Sequence, residues 1–224
     1  MTVTIPCTKY DRTVIRVQRW LLILAFAMLT HTTAFAEDIS FRKVQLAYGI
    51  SLDIPAHWVV LEEAVRKNIG AAGEAILNNS GVEGSAGRKE RLLKVNAVPY
   101  PTGAMIGVSV TSAIDYTQAD VAAFTAADLN DIGTEMRKAW EKLEASGTPK
   151  LLEMQPTRIE PFNNFLALVI SYVRADLFGP SPWQVTQYKI PVSNQLIEIT
   201  LSYRQSDGVL WKPVLERVRR SVRF

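Results

Sequence analysis

The chain has 224 residues, with 25 basic and 22 acidic side chains, a formal net charge of +3, one cysteine and two histidines. That length holds one domain with a sizeable core. So few Cys and His residues exclude the usual three- or four-ligand zinc and copper sets, and no other metal or cofactor motif is expected.

The first element is a leader. Arg16 and Arg19 precede an apolar run from Trp20 to Leu29, and Ala34-Phe35-Ala36 precedes the acidic Glu37. This order is that of a secretory signal peptide over residues 1–36, with cleavage expected after Ala36. Its apolar run is about half the roughly 20 residues a membrane span needs, so no transmembrane segment is expected after cleavage. Lys9, Arg12, Arg16 and Arg19 against Asp11 give the leader the whole positive excess, leaving a neutral domain over 37–224. A neutral domain has no broad field to draw it to nucleic acid. Cys7 and His31 also lie in the leader. The processed chain is therefore expected to be periplasmic or secreted, without thiol chemistry, and to keep His57 as its only imidazole.

From Val44 to Ile54, apolar residues in an extended pattern are broken at Tyr48-Gly49 and ended by Pro55, which predicts two short strands or a hairpin. Leu61, Val65, Ile69, Ala72 and Ile76 recur at helical spacing, although Gly70 and Gly73 weaken that helix. Residues 78–90, with Gly81, Gly84 and Gly87, read as a loop. Leu93, Val95 and Ala97, then Ile106, Val108 and Val110, alternate as two strands with one buried face. A long helix is predicted over 118–145, capped by Thr117 with Asp120 closing a capping box, divided at Gly133 and stopped by Gly147 and Pro149. Strands follow over 151–160 and 165–174, the second apolar on both alternations and hence central. Trp183–Pro191 and Gln195–Tyr203 pair across a short turn. A closing helix over 209–220 buries Trp211, Leu215, Val218 and Val222, with Pro213 expected in its first turn. This order predicts an α+β fold, an antiparallel sheet with helices on both faces.

Catalytic motifs are weak. Ser51, Asp53 and His57 lack the nucleophile elbow that would make a triad meaningful, and His57 reads as a turn residue beside a buried Trp58. Asp128, Asn130 and Gly133 imitate the start of a calcium loop, but Ile132 and Ala139 occupy ligand positions. Arg217, Arg219, Arg220 and Arg223 form a cationic face on the last helix, suited to an acidic partner or to anionic headgroups at a membrane surface. Tyr100, Trp183 and Phe178 fall in turn regions and are candidate aromatic anchors.

"YGISLDIPAHW" at 48–58, with Gly49, Pro55 and Trp58, resembles the opening of the PsbP-like superfamily. The closing stretch resembles that family's end, through Ile197, Ile199, Thr200, Leu201, Ser202, Trp211, Pro213, Leu215, Val218 and Ser221. The superfamily includes a photosystem extrinsic subunit, Ran-binding Mog proteins and periplasmic DcrB-type proteins. The resemblance implies a three-layer α/β/α sandwich and a non-enzymatic binding or assembly role through a protein partner. Two other roles are compatible with the residues: a small-ligand or lipid carrier, marked by a closed apolar pocket, and a carboxylate-dependent hydrolase, marked by a two-carboxylate cleft.

Overall fold

The apolar alternation around Tyr48-Gly49 builds an antiparallel pair, β1 (Phe41–Gln45) and β2 (Ser51–Pro55), joined by a 3-10 turn over Ala47–Gly49. Both Tyr48 (φ 61) and Gly49 (φ 74) take the left-handed conformation that reverses the chain. The computed structural model describes residues 39–80, 88–99, 102–112, 116–177 and 179–224. The expected signal peptide, Tyr100, Phe178 and residues 81–87 of the predicted loop lie outside them.

The second sheet runs β3 (Val59–Val60), β4 (Lys89–Asn96), β5 (Ala104–Ser112), β10 (Gln195–Arg204), β9 (Trp183–Val192), β8 (Phe165–Arg174) and β6 (Leu151–Met154). β7 (Arg158–Phe162) shares the β8 edge with β6, and every pairing is antiparallel. The single strand expected over 151–160 is therefore two, separated at Gln155–Thr157. Each pairs with a different half of β8. The β9–β10 hairpin turns at Ser193-Asn194 with Ser193 at φ 55, and β7–β8 turns at Asn163 with the same angle. β8, apolar on both alternations, is buried from Ala167 to Val173.

Helices cover both faces. On one face α4 (Gly208–Ser221) packs against β2 and β10, burying Trp211, Val214, Leu215 and Val218. The β1–β2 pair belongs to this layer, since Ser51 and Arg223 exchange backbone hydrogen bonds of 2.9 and 2.8 Å. On the other face lie α1 (Glu63–Ser80) and α3 (Ala126–Ala145). Met136 and Trp140 of α3 pack on Ile170, Tyr172, Trp183 and Val185. Burial pushes the Tyr172 phenol up to about 12. Short α2 (Gln118–Ala123) closes the start of β8.

Helix boundaries differ from expectation in three places. α1 continues to Ser80, so the predicted loop 78–90 gives up residues at both ends, to α1 and to β4. The helix over 118–145 breaks at Phe124-Thr125 rather than at Gly133, because Thr125 and Asp128 form a second capping box like that of Thr117 and Asp120. Gly133 instead sits buried inside α3. Gly147 (φ 91) ends α3 as expected. Pro213 is the sixth residue of α4, beyond its first turn. The carbonyl that loses its donor belongs to Val209, a residue 96% exposed, so water is available in place of the missing bond.

Candidate functional site

A β-bulge gathers basic side chains on one face of the sheet. β4 pairs regularly with β5 except between Arg91 and Leu93, where Leu92 is extra. One added residue turns two positions three apart onto the same face. Lys89, Arg91 and Lys94 consequently all face the side of the sheet covered by α1, opposite Thr111, Ser109 and Gly107 of β5 respectively. Together with Arg66 and Ile69 of α1 they wall a half-open cleft of about 200 Å³ whose floor is Glu198, Thr200 and Ser202.

Each charge there has a different status. Glu198 accepts from Lys189 Nζ at 2.7 Å and Lys89 Nζ at 2.9 Å. Burial pushes its pKa up, but the two ammonium groups outweigh that and hold the carboxylate down at about 2. Arg66 spends its guanidinium on the carbonyls of Leu61 (2.7 Å) and Arg91 (3.3 Å). Arg91 reaches Glu74 only at 3.5 Å, and its guanidinium lies against Gly70, where a Cβ would come within 2.6 Å of Nη1. Of the two helix glycines that weaken α1, Gly70 thus makes room for an arginine. Lys94, half-buried, has no ion pair or side-chain hydrogen bond among the described residues. Burial lowers its pKa, and the charges of Arg174 and Arg91 lower it further.

The other candidates are scattered. His57 occupies the exposed turn between β2 and β3. Trp58 beside it is 2% exposed and meets Trp211 edge-on, with ring centroids 5.4 Å apart. Asp128, Asp131 and Glu135 lie on the exposed side of α3. Arg217 stacks on Phe41 at 3.9 Å, and Arg219 and Arg220 both bind Glu216 at 2.8 Å. Arg223 donates to the carbonyls of Arg220 and Val222. The cationic face is therefore largely engaged within the molecule. Trp183 is 5% exposed, flanked by the guanidinium groups of Arg174 and Arg204, so it is a core residue rather than an exposed anchor. No group of three or more metal-ligating side chains comes together among the described residues.

The sequence reading missed two features. One is the cationic cleft, because the bulge that assembles it leaves no mark in the alternation of Leu93 and Val95. The other is an exposed apolar end, with Val209 96%, Leu177 57% and Leu210 49% exposed. The turn carrying Leu177 is fastened to the entrance of α4 by Gln205 N–H donating to the Pro182 carbonyl at 2.9 Å and Ser206 N–H to Ser181 Oγ at 3.3 Å.

The architecture defines a class: an open antiparallel sheet between helical layers, the PsbP-like fold. It is similar to cyanobacterial PsbP (CyanoP) from Synechocystis, with a TM-score of 0.50 and 11% identity over 87% of this chain and 98% of that one. LpqN of Mycobacterium tuberculosis, described as involved in cell envelope biogenesis, aligns over 83% of this chain and 91% of its own at 11% identity and a TM-score of 0.43. No family model matches the sequence, and no curated protein matches it. Among the described residues, no helix is long and apolar enough to cross a membrane.

Proposed function

We propose that this chain is an exported, non-enzymatic binding or assembly protein that works in the periplasm or envelope by docking a protein partner. The observation that carries the reading is the exposure of Val209 and Leu210 at the start of α4, with Leu177 exposed on the turn that precedes β9. Val209 and Leu210 begin a helix whose opposite side is anchored by Trp211 and Leu215, so their exposure is held in place by packing. Large apolar side chains held exposed on a rigid frame are suited to the core of a protein interface. The leader-like residues 1–36 supply the route of export, and the shared fold with CyanoP supplies the frame.

The test places a photo-crosslinking side chain at Val209, and as a control at exposed Glu135, in cells carrying the full-length gene. Capture of one dominant envelope protein from Val209 alone, lost in Leu210→Asp protein of unchanged circular dichroism, supports the reading. Equal capture from both positions, or none from Val209, overturns it. Charge reversal at Arg220 and Arg223 in the same assay reports whether the cationic face takes part. Amino-terminal sequencing of the exported protein checks the leader and is expected to begin at Glu37.

A further inference from the structure

We propose that the cleft beneath α1 binds a small amphiphilic carboxylate, its head paired with Lys94 and its apolar body lying between Ile69 and Met105. This site is separate from the apolar end of α4 and stands whether or not that end docks a protein.

Charge makes the first part of the case. Arg66, Lys89, Arg91 and Lys94 line the cleft, and the only carboxylate among its lining residues is Glu198. Glu198 is already shared between Lys89 and Lys189. Arg66 is satisfied by carbonyls, which accept its hydrogens without cancelling its charge. Lys94 stands in this field half-buried and without an anion. A desolvated cation among like charges is disfavoured, and an anion in the cleft relieves it.

Shape makes the second part. Gly107 presents no side chain to the floor, and Ile69 and Met105 flank it with apolar surface. Buried Ser109 and Ser202 add hydrogen-bonding capacity to the lining. A volume of about 200 Å³ exceeds the roughly 150 Å³ of an engineered cavity that holds benzene. The cleft therefore fits a carboxylate on a short aliphatic or aromatic body. Its openness to solvent allows a longer chain to project outward.

Sodium octanoate is the probe, titrated into purified protein labelled with carbon-13 at methionine methyls, with Met105 assigned through Met105→Leu. Octan-1-ol supplies the same body without the charge, and inorganic phosphate the charge without the body. Saturable movement of the Met105 methyl by octanoate is expected, at least tenfold weaker with either control and at least tenfold weaker in Lys94→Met. Lys94→Met should also raise the melting temperature, since it removes an unpaired cation. Lys94→Gln, which keeps a polar head, should lose octanoate to a similar degree. Equal binding of octan-1-ol, equal binding of phosphate, unchanged affinity in both variants, or no saturable shift each overturns the proposal. A lower melting temperature for Lys94→Met would do so as well, by showing that the ammonium already has a partner.

Discussion

The side-chain amide of Gln118 takes the place of the hydrogen bond that Pro191 cannot donate. Regular β8–β9 pairing stops at Leu168 opposite Lys189. Beyond it, Gln118 Oε1 accepts from Leu166 N–H at 2.7 Å, and its Nε2 donates to the carbonyls of Leu166 (3.1 Å) and Pro191 (2.8 Å). Proline has no N–H, so Leu166 would otherwise face an empty rung. Gln118→Ala leaves three backbone groups to find water, with an expected cost of about 2 kcal/mol. Urea unfolding measures the loss, and hydrogen exchange locates it: the Leu166 amide should exchange much faster while that of Ile170 changes little.

A second prediction concerns the break between α2 and α3. Thr125 Oγ1 accepts from Asp128 N–H at 3.2 Å, and Asp128 Oδ2 accepts from Thr125 N–H at 2.8 Å. Thr125→Ala removes one half of this reciprocal pair and should cost about 1 kcal/mol. If that variant is as stable as the parent, the cap does not set the break.

How much of this was legible follows from the range of each interaction. The capping box at Thr117 was readable because its partners are three residues apart. The one at Thr125 repeats it, with "TQAD" followed by "TAAD", and the pattern was available. Gly133 drew the expected break instead, although Thr157 packs against it with Oγ1 only 3.3 Å from where a Cβ would lie. Order and direction of the strands were likewise legible, since alternation and turn residues are local. The cleft was not. It needs a bulge at Leu92, an arginine seated on Gly70, and Glu198 brought from more than a hundred residues away. The Arg217–Arg223 cluster looked free in sequence because Glu216 and the Phe41 ring become its neighbours only through the helix and the fold.

The glycines of α1 give a paired prediction. At Gly73 an added Cβ would meet Arg91 Nη2 at 3.8 Å, an ordinary contact, whereas at Gly70 it would lie 2.6 Å from Nη1. Gly73→Ala should therefore stabilise by about 0.8 kcal/mol through helix propensity alone. Gly70→Ala should show no such gain, because the guanidinium must move away from its long contact with Glu74. Equal stabilisation by both substitutions would mean that Arg91 is not seated as described.

Glu198 provides the pH prediction. Its folded pKa of about 2 lies below the ordinary 4.5. A depressed carboxylate stabilises the fold above its unfolded pKa, and that contribution drains away as pH falls through the folded value. The window is therefore pH 4.5 down to about 2, and the size, at 13% side-chain exposure, is about 3 kcal/mol. Asp120 and Asp128 are depressed too, by their capping threonines, so the parent's acid limb mixes several groups. A variant separates them. Glu198→Gln keeps the shape, leaves Lys89 and Lys189 without their anion, and should lose about 3 kcal/mol near neutrality. Its deficit against the parent should shrink as pH falls from 4.5 toward 2, because the parent loses there what the variant never had. Urea midpoints at pH 7, 4.5 and 3 decide the matter, and a deficit that stays constant across them would show that the two lysines do not hold this carboxylate.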